Sequence, residues 1–442
     1  MKIALILPHD STYRYKSGTF NKALRYPPIT LTILAGLVPP EIEADIRIID
    51  EGVDPLPENL EADLVGISAV TATALRAYSL ADMLRKKGIT VVLGGVHPTV
   101  LPEEAIQHAD SVVIGFAENS WPRLLRDFKN GTLQKFYNST ETISLAHLPL
   151  PRRDLLTKES YLTLNTIMAT WGCPNHCKYC SIPVARQGQY YQRPIEDVVR
   201  EIKSMKGKRY IFLDPNPNED VEYATRLYEA LIPLNIKWVG LTTTKIMKNE
   251  KLLNLAVKSG CFGLLLGFET ISQAALCQSH KDFNSVEEYK DMVKRLHDKN
   301  ISVLGCFMFG FDSDDESSFE KTLSFINKSE IDLLRYTIFT PFPGTHVYDE
   351  FKKQGRIIDD NLELYDYEHV VFKPARMSPE ALQKGIEWIW KETYSIKSIA
   401  RRMSRTKLSR WENVIYNFGF RHHALKLNNN NHKNKSRLYA NV

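Results

Sequence analysis

The chain has 442 residues, a formal net charge of +5 and six cysteines; it is too long for one ordinary hydrophobic core and is expected to form two or three domains. Residues 401–442 hold ten Lys and Arg against the single acid Glu412, leaving +9 in this tail and −4 in the body, so a nucleic-acid-binding body is not expected. No uncharged apolar run approaches about 18 residues, so no transmembrane segment is predicted, and few cysteines behind a start (MKIALILPHD) that reads as a strand rather than a secretory signal point to a reducing, cytoplasmic setting.

Over residues 1–135 short apolar runs alternate with segments of helical period: strands at 3–7, 46–49, 63–68, 90–95 and 111–115, helices near 29–38, 72–87 and 102–108. Strands apolar on both sides and separated by helices predict a Rossmann-like, doubly wound parallel sheet. Such sheets bind ligands at the carboxyl ends of their strands, which here are Asp10, Asp50-Glu51, Ser68 to Thr71, Gly94 to Thr99 and Gly115 to Glu118. Gly94-Gly95 before His97 suggests close approach to something flat or bulky, or a tight turn into a helix. No Gly-x-Gly-x-x-Gly fingerprint is present, which disfavours a nicotinamide dinucleotide. Residues 136–160 read as a linker.

From 161 to 350 the pattern is strand then helix, with strands near 163–170, 209–214, 236–242, 262–268, 301–309 and 332–340 and helices near 195–205, 219–233, 247–258, 285–299 and 315–328. Six such units predict an open partial barrel, whose functional groups come from strand C-termini. At those ends lie Cys173, Cys177 and Cys180 in WGCPNHCKYCSIP, then Asp214 and Asn216, Thr242 to Thr244 with Thr243 at their centre, Glu269, Gly310 to Asp312, and Thr340 to Thr345 with Pro343 and Gly344. Three cysteines fall one short of a closed tetrahedral zinc or fully ligated iron-sulfur site. A zinc knuckle completed by His176 is disfavoured because His176 is wedged between two ligands, and a redox disulfide because such pairs usually open a helix in a much smaller fold.

Cys-x-x-x-Cys-x-x-Cys with Tyr179 before the last cysteine resembles the signature of the radical S-adenosylmethionine (SAM) enzymes. The first domain, through YPP at 26–28, LVGIS at 64–68, VVLGGVHPT at 91–99 and HADSVVIGFAE at 108–118, resembles the cobalamin-binding domain that precedes the radical SAM core in one large branch of that family. The resemblance implies a 4Fe-4S cluster on Cys173, Cys177 and Cys180 whose open iron chelates SAM, and cleavage of SAM to a 5'-deoxyadenosyl radical. It implies cobalamin against Ser68, Thr71, Gly94, Gly95, His97 and Glu118. The Asp-x-His-x-x-Gly motif is absent, so no histidine is expected beneath cobalt; a Rossmann-like domain without cofactor is the alternative. In the family the glutamate matching Glu269 binds the SAM amino group or ribose, with a strand-end cap as the other reading. Asp214 and Asn216 would contact SAM or substrate, or cap the next helix; Thr243, Gly310, Pro343 and Gly344 resemble SAM-pocket positions, though simple turns explain the last three as well. Arg186 and Arg193 would neutralise the SAM carboxylate or the cluster, or cap a helix. The implied activity is C-methylation of an unactivated carbon of a small-molecule or lipid-like substrate, with flavodoxin or ferredoxin as reductant. Ring formation without methyl transfer and a non-enzymatic iron-sulfur regulator are the alternatives.

Cys261, Cys277 and Cys306 form no second cluster motif and are expected to be buried structural thiols. In the helical region 351–410, residues 369–374 read as extended and a helix starts at Ser378-Pro379, with Leu382, Ile386, Ile389, Trp390 and Tyr394 on one face. The Asn-rich tail 411–442 is expected to be largely disordered.

Overall fold

The computed structural model describes residues 1–9, 26–138, 143–185, 188–405 and 410–438; Asp10 and Arg186 lie outside these. The chain forms two compact units, Met1–Glu219 with Pro341–Gly355 and Asp359–Asp366, and Asp220–Thr340 with Arg356–Ile358 and Tyr367–Val442.

In the first unit β1 (Lys2–Leu7), β2 (Asp45–Asp50), β3 (Leu64–Ser68), β4 (Thr90–Gly94), β5 (Ser111–Ile114) and β6 (Phe136–Asn138) form one parallel sheet in the order β2-β1-β3-β4-β5-β6. Its helices are α1 (Ile29–Gly36), α2 (Ala74–Lys86), α3 (Val96–Val100), α4 (Pro102–Ala105) and α5 (Ala117–Lys129). The continuous apolar runs have a direct cause. Ile3 and Leu5 enter one core with Leu31 and Trp121, while Ala4 and Ile6 enter the other with Ala77 and Leu80, so both faces of each strand are covered. The strand order reverses between β1 and β3, where open sheets of this kind form a ligand crevice. Two elements escaped the sequence pattern: α5 carries Pro122 inside it, which interrupts a helical reading, and β6, in the expected linker, is only three residues long.

The first unit continues with β7 (Thr166–Ile167), β8 (Thr170–Gly172), α6 (Ser181–Ala185), β9 (Tyr190–Gln192), α7 (Ile195–Ser204) and β10 (Arg209–Phe212). The strand expected at 163–170 is thus divided: β7 pairs in parallel with β10, and β8 makes an antiparallel hairpin with β9. In the second unit α8 (Val221–Leu231), β11 (Lys237–Thr242), α9 (Glu250–Lys258), β12 (Cys261–Glu269), α10 (Gln273–Gln278), α11 (Tyr289–Asp298), β13 (Ser302–Phe309), α12 (Ser317–Ser329) and β14 (Leu333–Ile338) keep the predicted alternation. These strands are parallel, in the order β14-β13-β12-β11. The helix α13 (His346–Lys353) belongs to the first unit.

The C-terminal region is helical: α14 (Pro379–Thr393), α15 (Ile396–Arg405) and α16 (Arg410–Leu438). Ser378 caps α14 by accepting the Ala381 amide at 3.1 Å, and Leu382, Ile386, Ile389, Trp390 and Tyr394 are buried as their spacing predicts. Within the segment 411–442, α16 is held by specific contacts at residues 417–423. Phe420 of α16 stacks on Tyr394 at 5.5 Å, and Arg402 donates to Asn417 Oδ1 at 2.7 Å. The inward side of α16 is mixed, with Asn413, Asn417 and His423 buried beside Ala424 and Leu427, so the hydrophobic period is weak. Among the thiols, Cys277 is exposed on α10, against the expectation of burial. No helix among the described residues is long and apolar enough to cross a membrane.

Candidate cluster and cofactor site

The loop from β8 to α6 carries Cys173, Cys177 and Cys180, all half-buried. The Cys180 amide donates to Cys177 O at 3.0 Å, a turn that brings the last two cysteines to one side of the loop. Each thiolate of a 4Fe-4S cubane meets a different iron, so three thiols leave one iron open. The donor set, three thiols with amide donors near one sulfur, fits the cubane. Asn175 Nδ2 lies 3.4 Å and Asn216 Nδ2 3.8 Å from Cys173 Sγ.

Behind this loop is the turn after β10. Asp214 Oδ1 accepts the amides of Ala169 and Thr170 at 2.9 and 2.5 Å and the Thr170 hydroxyl at 2.8 Å. Asp214 and Asn216 are both 0% exposed, yet among the described residues Asp214 Oδ2 and Asn216 Oδ1 have no hydrogen-bond partner. Buried acceptors left unpaired are costly, and two of them beside the cluster loop fit the N–H and O–H groups of a bound SAM. Burial pushes the Asp214 carboxyl up to about 6, against the lowering effect of its three donors. Neither residue caps α8; Asp220 does, accepting the Glu222 and Tyr223 amides.

The carboxyl edge of the first sheet presents small residues: half-buried Ser68, Gly94 and Gly115. At Gly115 the space a Cβ would take is open, a ledge on which a flat corrin could lie. Gly95 has φ 99°, and a Cβ there would stand 2.6 Å from Ala69 O, so its own backbone neighbour already demands glycine. His97 is corrected from cofactor contact to structural strut. It is 0% exposed, with Nε2 3.2 Å from Glu104 Oε1 and Nδ1 3.3 Å from Thr71 Oγ1. A carboxylate only accepts, so Nε2 carries the proton and Nδ1 accepts from Thr71; burial holds this imidazole below its ordinary range, neutral at pH 7. Thr71 is therefore spent on His97. Glu118 is buried in the first turn of α5, where the helix N-terminus favours an acid.

Ledge and cluster loop are joined inside this unit. The α3 helix packs on α6. Val100 and Val184 both close on Gly344, where a Cβ would lie 3.1 and 3.2 Å from them, so this glycine serves packing. Pro343 is buried in the same turn. Phe116 meets Tyr191 edge-on at 5.1 Å, and Trp171 packs with Phe116. Arg193 is corrected: it donates to Glu201 Oε2 at 2.5 Å and Met168 O at 3.0 Å, and Glu201 also takes Arg153 at 2.5 Å, a buried structural network.

In the second unit Glu269 ends β12 at a register shift, with φ 66°. Its carboxylate accepts Lys281 Nζ at 2.5 Å, the two side chains 12% and 9% exposed. Thr243 precedes a one-turn helix, and its shielded hydroxyl has no partner. At Gly310 the position of a would-be Cβ is filled by Leu382 and Phe372 at 3.0 Å, so packing alone already requires glycine there. Sequence reasoning missed Asn175, Glu219 and Lys281; Asn175, inside the cysteine motif, was the only one with a positional signal.

Comparison with known proteins agrees with this geometry. Residues 23–125 match the B12 binding domain and residues 167–326 the Radical SAM superfamily. The chain is 30% identical over 377 residues to the bacteriochlorophyllide d C-12(1)-methyltransferase of Chlorobaculum tepidum, covering 83% of this chain and 82% of that one. It is 28% identical to the C-8(2)-methyltransferase of the same organism, over 94% and 96%. The solved cobalamin-dependent radical enzyme OxsB, with aqua-cobalamin and SAM bound, shares the fold at TM-score 0.69 and 15% identity, covering 96% of this chain and 71% of that one. With both domains matched and a methyltransferase relative spanning most of either chain, the protein belongs to the cobalamin-dependent radical SAM methyltransferases.

Proposed function

We propose that the protein C-methylates an unactivated carbon of a small, largely apolar molecule of tetrapyrrole or polycyclic-lipid kind. The names of the Chlorobaculum tepidum relatives support the tetrapyrrole reading. When bound, the 4Fe-4S cluster supplies the electron that cleaves SAM, and cobalamin carries the methyl group to be transferred.

The chain's own part is placement and exclusion of water. Cys173, Cys177 and Cys180 hold the cluster and leave one iron for SAM. Asp214 Oδ2 and Asn216 Oδ1 accept donors from SAM. Within the second unit, Lys281 fixes the Glu269 carboxylate as an acceptor. Ser68, Gly94 and Gly115 would carry the corrin, and His97, with both ring nitrogens engaged, would serve as a strut beside it. The reductant is a flavodoxin or ferredoxin of a reducing, anaerobic cytoplasm, and nucleic acid is not a partner.

The observation that carries this reading is that one compact unit holds both the three-cysteine loop and the small-residue ledge, tied at Gly344. To test it, the anaerobic, cluster-loaded enzyme is given hydroxocobalamin, methyl-labelled SAM and a bacteriochlorophyllide. Label in the chlorin, with S-adenosylhomocysteine and deoxyadenosine formed in equal amounts, supports it. Deoxyadenosine with an unlabelled, newly cyclised product replaces it with ring formation.

A further inference from the structure

Two side-chain amides close on the Cys173 sulfur, Asn175 Nδ2 at 3.4 Å and Asn216 Nδ2 at 3.8 Å. Both are also held by one carboxylate oxygen, Glu219 Oε2, at 3.5 and 2.7 Å. That shared anchor fixes their orientation. A carboxylate has no proton to donate, so each amide must turn its NH2 toward Glu219, and the same NH2 then faces the thiol. The anchor itself is stiff: Asn216 lies between Pro215 and Pro217, whose rings fix the backbone on either side. Asn216 is 0% exposed, and a hydrogen bond in such a setting is stronger than one in water.

We infer that Asn175 and Asn216, oriented by Glu219, are positioning residues that set the reduction potential of the cluster through the Cys173 thiolate; the inference rests on the cluster assignment above. The electrostatics give the sign. An N–H donor stabilises negative charge on sulfur. Reduction adds one electron from an external low-potential donor and breaks no bond, so the donor bonds are stronger in the reduced state and raise the potential. The Glu219 carboxylate, one bond further out, opposes this. Removing an amide lowers the potential; neutralising Glu219 raises it.

The test uses the full chain loaded anaerobically with iron and sulfide, without SAM. Its cluster is titrated with dithionite, and the reduced state is read by electron paramagnetic resonance. Asn216→Leu and Asn175→Ala are each expected to hold the wild-type iron content while the reduced-to-oxidised ratio at fixed potential falls up to tenfold, which is 59 mV for a one-electron couple. Glu219→Gln, which keeps an acceptor for both amides, is expected to move the ratio the opposite way. Unchanged midpoints at full iron content overturn the inference. So does loss of iron from both amide variants, because a bond that only tunes potential leaves three thiolates in place. A wild-type chain that takes up no cluster overturns the cluster assignment itself, a result visible before any variant is read.

Discussion

Thr170 binds a single carboxylate oxygen of Asp214 twice, through its amide at 2.5 Å and its hydroxyl at 2.8 Å, and the other oxygen is left buried without a partner. One half of this carboxylate ties β8 to the turn after β10, where the cluster loop begins. The other half is available to a ligand.

Its titration gives a pH signature. The folded-state value rises from 3.8 to about 6 through desolvation, so the stability linked to this group is full below about pH 4 and is lost as pH rises through 6. Two pKa units correspond to about 3 kcal/mol. Asp214→Asn does not titrate. Denaturant unfolding of apoprotein and variant should show their stability difference moving in the variant's favour by about that amount between pH 4 and 7. A pH-independent difference would count against a raised Asp214.

Replacing Cys173, Cys177 or Cys180 singly by Ala should abolish the iron-sulfur absorption of the reconstituted protein and its SAM cleavage. Cys261→Ala, buried at the start of β12 with its thiol pushed up to about 12 by burial, should retain both. Iron analysis of the four variants distinguishes the ligands from the structural thiol.

Breaking the Glu269–Lys281 pair from one side strands a charge that is nearly buried. Lys281→Met should cost about 3 kcal/mol of stability. Adding Glu269→Gln should recover much of it while SAM affinity, measured by equilibrium dialysis, stays low. Full SAM affinity in the double variant would remove Glu269 from the cofactor site.

Gly95→Ala forces a Cβ into a left-handed residue with Ala69 O 2.6 Å away. A loss of about 1–3 kcal/mol is expected, with weaker corrinoid retention on gel filtration because the ledge of Gly94 and Ser68 shifts with it. Gly115→Ala meets open space among the described residues but places alanine at φ 76°; a loss of about 1 kcal/mol is expected from the backbone alone, with weaker corrinoid retention beside it.

Much of this architecture is legible in the amino-acid order because two strong periodicities run through it. The runs at Ile3–Ile6 and Leu64–Ile67 are apolar at every position because each strand faces two cores, and the cysteine spacing has few other physical explanations. What the order hides is where a polar side chain spends its hydrogen bonds. His97 and Arg193 look like ligands in one dimension, yet Glu104 and Glu201 already occupy them. At Gly310 and Gly344 the close approach of Leu382 and Val100 already requires glycine, a packing demand that the order of residues does not reveal. The helix α16 turns Asn413 and Asn417 inward beside Ala424 and Leu427, so its burial leaves only a broken apolar period to read. Asn175 and Glu219 acquire meaning only once the fold brings them to Cys173.

The decisive experiment is to load the protein anaerobically with iron, sulfide and hydroxocobalamin, remove unbound corrinoid, and then assay SAM under reduction. The account predicts stoichiometric corrinoid retention together with deoxyadenosine formation that needs all three cysteines. SAM cleavage by a protein that retains no corrinoid would reduce the first sheet to a scaffold and contradict methyl transfer through cobalamin.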